Sequence, residues 1–148
     1  MTQPLQTSAP ELGLQVAASA VLVVVMVVIH SVALIEVSRR LHLREEELED
    51  RNFDYSAVML MARLGLLLFV LHLFEILVFA GFYMAVGAVA YFEAAFYYSA
   101  SVYATLGTTE DFFAEGWRLV GAIEAVVGFI LIGWSTAFMV TTVNRLRG

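Results

Sequence analysis

The chain has 148 residues, 61% of them hydrophobic and 15% charged, with a mean hydropathy of +0.83. That is more apolar surface than a soluble domain of this size hides in one core, so a membrane is its natural solvent. The net charge of −6 is gathered in a few segments without a basic block, which argues against nucleic acid as a partner, and the absence of cysteine excludes a disulfide framework and a thiolate metal site.

Residues 1–13 form a polar tail with two prolines and no Lys or Arg. The apolar run that follows is too long for a signal-peptide core and lacks the basic flank that precedes one, so it is read as part of the mature chain. Leu12 to Val37 is nearly all apolar, and at ~1.5 Å per residue it exceeds the ~30 Å hydrocarbon layer. A spanning helix is expected over 14–38, ending at Ser38-Arg39-Arg40. The charged linker 39–56, with Arg44, Glu45, Glu46, Glu47, Glu49, Asp50 and Arg51, reads as a solvated loop or short surface helix.

A second apolar stretch, 57–90, is too long to cross once without tilting, and its crossing is expected near residues 64–86. The aromatic segment 91–104 is too short to span. It leads into Thr105-Leu106-Gly107-Thr108-Thr109 and then Glu110 and Asp111. A third apolar helix is expected over 117–146. Basic residues flank the first linker (Arg39, Arg40, Arg44, Arg51, Arg63) and follow the third helix (Arg145, Arg147), whereas the N-terminal tail has none. Under the positive-inside rule, three crossings then place the N-terminus outside and the C-terminus in the cytosol. The loop of residues 91–117 dips in from the outside and returns.

Non-helical backbone at membrane depth is tolerated only where protein buries it or where it lines a water-filled cavity, because its polar groups have no other partner in lipid. A half-length helix followed by Thr-Leu-Gly therefore points to a pore. The run Ala95-Phe96-Tyr97-Tyr98-Ser99-Ala100-Ser101-Val102-Tyr103-Ala104-Thr105-Leu106-Gly107 resembles the pore helix and filter of two-transmembrane bacterial potassium channels. Downstream, Trp117-Arg118-Leu119-Val120 is similar to the start of that family's inner helix. Gly128 falls at its hinge glycine, and Ile132-Gly133-Trp134-Ser135-Thr136-Ala137 is similar to bacterial members with an extra N-terminal helix. The resemblance covers residues 64–146 and leaves the first helix outside the minimal module.

The resemblance implies an all-α homotetrameric pore in a plasma membrane, here the bacterial inner membrane. Each subunit would have three transmembrane helices, a re-entrant pore helix and a filter loop of residues 105–109. Such filters replace an ion's hydration shell with rings of backbone carbonyls. Where potassium-selective members continue Tyr-Gly-Asp, this chain has Thr108-Thr109-Glu110. In the family the tyrosine holds the filter's diameter, and the second glycine permits a backbone conformation that threonine adopts only with strain. The outer sites should be widened or lost. The inner sites, from Thr105 and Leu106 beside Gly107, could survive, as in cyclic-nucleotide-gated channels, which discriminate poorly between sodium and potassium. The expected function is passage of monovalent cations, K+ or Na+, with no bound cofactor. Acidic rings of Glu110, Asp111 and Glu115 at the outer mouth would concentrate cations and could take a divalent ion.

Ionisable residues inside the spans are costly and each needs a reason, which singles out His30, His72, Glu75 and Glu124. His72 and Glu75 share a helical face. His30 and His72 both lie about nine residues from a cytosolic end, or roughly 13 Å deep, and could meet. Two readings stand for this group: interhelical hydrogen bonds that attach the first helix, or a proton sensor. Metal binding by His72 and Glu75 needs at least one more ligand. Glu124 is expected to brace the pore helix through Ser99 or Ser101, and Glu36 could pair with Arg63. Gly128 and Gly133 serve either as hinges or as points of close helix packing.

A non-conducting regulatory subunit with a degenerate filter is the alternative function. A transporter would bring internal repeats, which are absent. No cluster of nucleophile, base and orienting group suggests an enzyme.

Overall fold

The structure, a computed structural model, describes residues 9–48, 55–107 and 115–147. Within them the chain is all-helical: α1 (Ala9–Leu48), α2 (Tyr55–Ala85), α3 (Phe92–Tyr103), a single 3-10 turn (Glu115–Trp117) and α4 (Arg118–Arg147). Three helices contain segments long and apolar enough to cross a membrane, Leu12–Arg40, Ala57–Ala85 and Arg118–Arg145.

The first helix does not stop at Ser38. It continues through Arg39 and Arg40 to Leu48, so much of the expected linker is a helical extension of the span. Residues 14–48 contain neither glycine nor proline, and Leu, Arg and Glu are good helix formers, so nothing in the local chemistry breaks the helix when the side chains turn from apolar to charged. α2 ends at Ala85, five residues before the expected boundary. Gly87, at φ +70°, closes it. The Gly87 N–H donates to the Met84 carbonyl and the Ala88 N–H to the Tyr83 carbonyl, the paired bonds of a Schellman cap.

α1 buries a narrow seam of Gln15, Ser19, Leu22, Met26 and His30, spaced three or four residues apart. It packs mainly against α4, with α2 as a second neighbour. α3 lies between α2 and α4 and contacts both. It starts at the Ala85 end of α2 and runs back beside it: Tyr98 packs edge-on against Tyr83, Ser99 reaches the Ile76 carbonyl, and Tyr103 reaches Glu75 and His72. α3 thus ends level with the middle of its neighbours. The core around it is formed by Phe79, Ala80, Tyr83, Ala95, Tyr98, Val102, Val120, Val127 and Leu131.

Candidate functional site

The C-terminal end of α3 is the first part of the site. The Thr105 N–H donates to the Val102 carbonyl (2.8 Å) and the Leu106 N–H to the Ser101 carbonyl (2.9 Å), again a Schellman cap. The left-handed position, filled by Gly87 after α2, is filled here by Thr105 at φ +59°. A β-branched residue is disfavoured in that conformation because its side chain crowds the backbone. Gly107 is left-handed as well, at φ +73°, while Leu106 between them is not. Ala104 to Gly107 are exposed in the single chain, Leu106 to 80%. The negative end of the α3 dipole faces the same region, which favours a cation there.

Behind this end sits a buried polar network. Glu75 on α2 is fully buried and accepts three hydrogen bonds: to Oε1 from His30 Nδ1 of α1 (2.9 Å), and to Oε2 from His72 Nδ1 (3.0 Å) and the Tyr103 hydroxyl (2.5 Å). Tyr103 Oη also lies 2.9 Å from His72 Nδ1. His30 Nε2 is 3.4 Å from Ser135 Oγ of α4, and its ring lies against those of His72 and Trp134, at centroid distances of 5.5 and 6.1 Å. One carboxylate therefore joins α1, α2 and the last residue of α3. With three donors on it, its charge is held in place without solvent.

Glu124 on α4 holds the middle of α3. It is fully buried and accepts from the Tyr83 hydroxyl at Oε2 and from the Ser99 hydroxyl at Oε1, both at 2.5 Å. Two closer contacts seat α3 on α4. Gly121 faces the Tyr98 hydroxyl, and Gly128 faces the carbonyl and ring of Tyr103, each leaving no room for a β-carbon. Gly133 has open space around it.

The structure thus brings together His30, His72 and Glu75, and it places Glu124 on Ser99. Gly128 sits in a packing contact with the end of α3. Glu36 bonds Arg40 one turn along α1 (2.8 Å) instead of Arg63, because the uninterrupted helix carries Arg40 to the i+4 position beside it. Thr108, Thr109, Glu110 and Asp111 lie outside the described residues. Glu115 opens the 3-10 turn before α4. Sequence reasoning missed three contributors. Tyr103 stands in the aromatic segment 91–104 and Tyr83 in the second apolar stretch, where nothing in the sequence marks their hydroxyls. Gln15, whose side-chain oxygen accepts from the Leu119 N–H at the start of α4 (3.1 Å), lay close to the polar tail. For Gln15 a signal existed, since it is the first polar member of the seam that continues at Ser19 and ends at His30. Comparison of the chain with protein-family models, curated proteins and solved structures gives no match.

Proposed function

We propose that the chain is one subunit of a homotetrameric membrane pore that passes monovalent cations with weak discrimination between sodium and potassium. The observation that carries this reading is the exposed, non-helical backbone at Ala104–Gly107, set half-way along two helices of membrane-spanning length. In lipid those polar groups would have no partner, so water or further protein must cover them. Four copies around a central axis supply both. The half-helix then acts as a re-entrant pore helix whose negative end faces the permeating ion. Thr105, Leu106 and Gly107 form the inner ion sites, while Thr108 and Thr109 stand where a narrower filter has Tyr-Gly, which relaxes the outer ones. Glu110, Asp111 and Glu115 gather cations at the outer mouth, with the N-terminus outside and the C-terminus in the cytosol of a bacterial inner membrane.

The test is flux of potassium and of sodium through the purified protein in liposomes. Both ions are expected to pass, and Thr108→Tyr combined with Thr109→Gly is expected to narrow passage to potassium. A sharply potassium-selective wild type would sink the relaxed-filter reading. Silence of both proteins, with an intact tetramer, would assign the chain to non-conducting membrane subunits.

A further inference from the structure

We propose that His30, His72 and Glu75 form a binding site for a first-row divalent metal ion of the zinc type, which ties α1 to α2 directly behind the end of α3. The inference does not rest on conduction, since the three ligands belong to helices that must pack whatever the chain transports.

The ligand atoms of the three residues all lie within 4.8 Å of one another. Two imidazole nitrogens and one carboxylate form a borderline donor set that suits zinc, cobalt or nickel, whereas calcium and magnesium prefer all-oxygen surroundings. Two histidines and a glutamate are also a sufficient protein set for tetrahedral zinc, with one position left for a further oxygen.

The spacing fits that chemistry. Zinc–ligand bonds of roughly 2.0–2.2 Å in a tetrahedron separate neighbouring ligand atoms by roughly 3.3–3.5 Å. The Nδ1 atoms of His30 and His72 lie 2.9 Å from Oε1 and 3.0 Å from Oε2 of Glu75. Seating one ion requires these two contacts to open by a few tenths of an ångström and the ligand atoms of the two imidazoles, within 4.8 Å of each other, to settle at the same spacing. The Tyr103 hydroxyl, 2.9 Å from His72 Nδ1 and 2.5 Å from Glu75 Oε2, borders the position left for a further oxygen.

The His30 proton has a place to go. When Nδ1 of His30 turns from donor to ligand, its ring proton resides on Nε2. There Ser135 Oγ, 3.4 Å away, is the acceptor. This is the outer hydrogen bond that metal-bound histidines usually make and that fixes their orientation. Access is from the His72 side. His30 and Glu75 are fully buried, while the His72 side chain keeps 17% of its surface exposed.

The experiment uses the full-length chain in detergent, purified without a histidine tag and stripped with a chelator, titrated with cobalt(II) and separately with zinc. Cobalt is expected to give the intense visible absorption of a tetrahedral nitrogen–oxygen site, saturating at one ion per chain, and zinc is expected to displace it and raise the melting temperature. His30→Gln, His72→Gln and Glu75→Gln should each abolish the band. Ser135→Ala should weaken cobalt binding about tenfold or more. His42→Gln removes the remaining histidine of the chain and should change nothing. A folded wild type with no visible band and no zinc-dependent melting shift overturns the proposal, as does a band that survives in His72→Gln. His72 is the partly exposed ligand, so its variant is the one best placed to fold normally.

Discussion

Tyr103 closes against Gly128: the ring and carbonyl of the last residue of α3 fill the space in which any other residue of α4 would place a β-carbon. The contact fixes the height of the α3 end against α4, and the hydroxyl of the same tyrosine fixes it against Glu75 of α2. One side chain therefore ties the Thr105–Gly107 backbone to both flanking helices.

Alanine substitution at two glycines of α4 should have opposite signs. In an open helix interior, glycine to alanine stabilises by about 1 kcal/mol, and Gly133→Ala, with nothing within reach of the new methyl group, is expected to raise the melting temperature in detergent. Gly128→Ala must push Tyr103 aside, and overpacking of this kind costs about 1–3 kcal/mol. It is expected to lower the melting temperature and to displace the end of α3. Equal stabilisation by both substitutions would mean that Gly128 is a hinge with room to spare.

The two Schellman caps permit a reciprocal test of backbone strain. Gly87 and Thr105 occupy the same left-handed position after α2 and α3. A residue with a β-carbon is disfavoured there by about 1–2 kcal/mol. Gly87→Thr is expected to destabilise the protein by that amount, while Thr105→Gly relieves the strain and leaves the melting temperature equal or higher. On the proposed pore reading, cation flux in Thr105→Gly is expected to fall with the loss of the threonine hydroxyl. A strained residue kept where glycine fits better is the signature of a functional constraint. A lower melting temperature for Thr105→Gly would remove that argument.

On the proposed pore reading, the histidine pair is expected to make flux sensitive to acid. Glu75 faces His30, His72 and the Tyr103 hydroxyl. Charging either imidazole would convert a hydrogen bond into an ion pair and tighten the tie behind the end of α3. Flux is expected to differ between neutral and acidic solution when measured with a chelator present to keep the site metal-free. In His72→Gln the change should be reduced and in the His30→Gln, His72→Gln double variant absent; an unaltered pH response in the double variant would move the sensor elsewhere.

Much of this arrangement is legible in the residues. Run lengths of apolar side chains gave the three long helices and the short one, because membrane thickness sets a simple length rule. Counting turns from the arginines brought His30 and His72 to one depth, and the place of Glu124 one turn before Gly128 set it near Ser99 or Ser101, of which it bonds Ser99. The charged continuation of α1 was missed because charge marks where a helix leaves lipid, which is a different boundary from where it unwinds. The hydroxyls of Tyr83 and Tyr103 were missed for another reason. Tyrosine is at home on an apolar face, and only the packing of three helices decides whether its hydroxyl meets a carboxylate.

The seam of α1 also bears on how the protein is made. His30 is synthesised 45 residues ahead of Glu75 and 105 ahead of Ser135, and Gln15 precedes its partner Leu119 by 104. As the ribosome delivers the chain, α1 is apolar enough to enter the bilayer by itself, and association with later helices is a second stage. In the interval its imidazole, its amide and the Ser19 hydroxyl face lipid with none of their final neighbours. α2 relieves His30, but only the emergence of α4 covers the rest of the seam. A nascent chain halted before α4 thus carries a polar stripe that lacks the helix which covers it in the finished subunit.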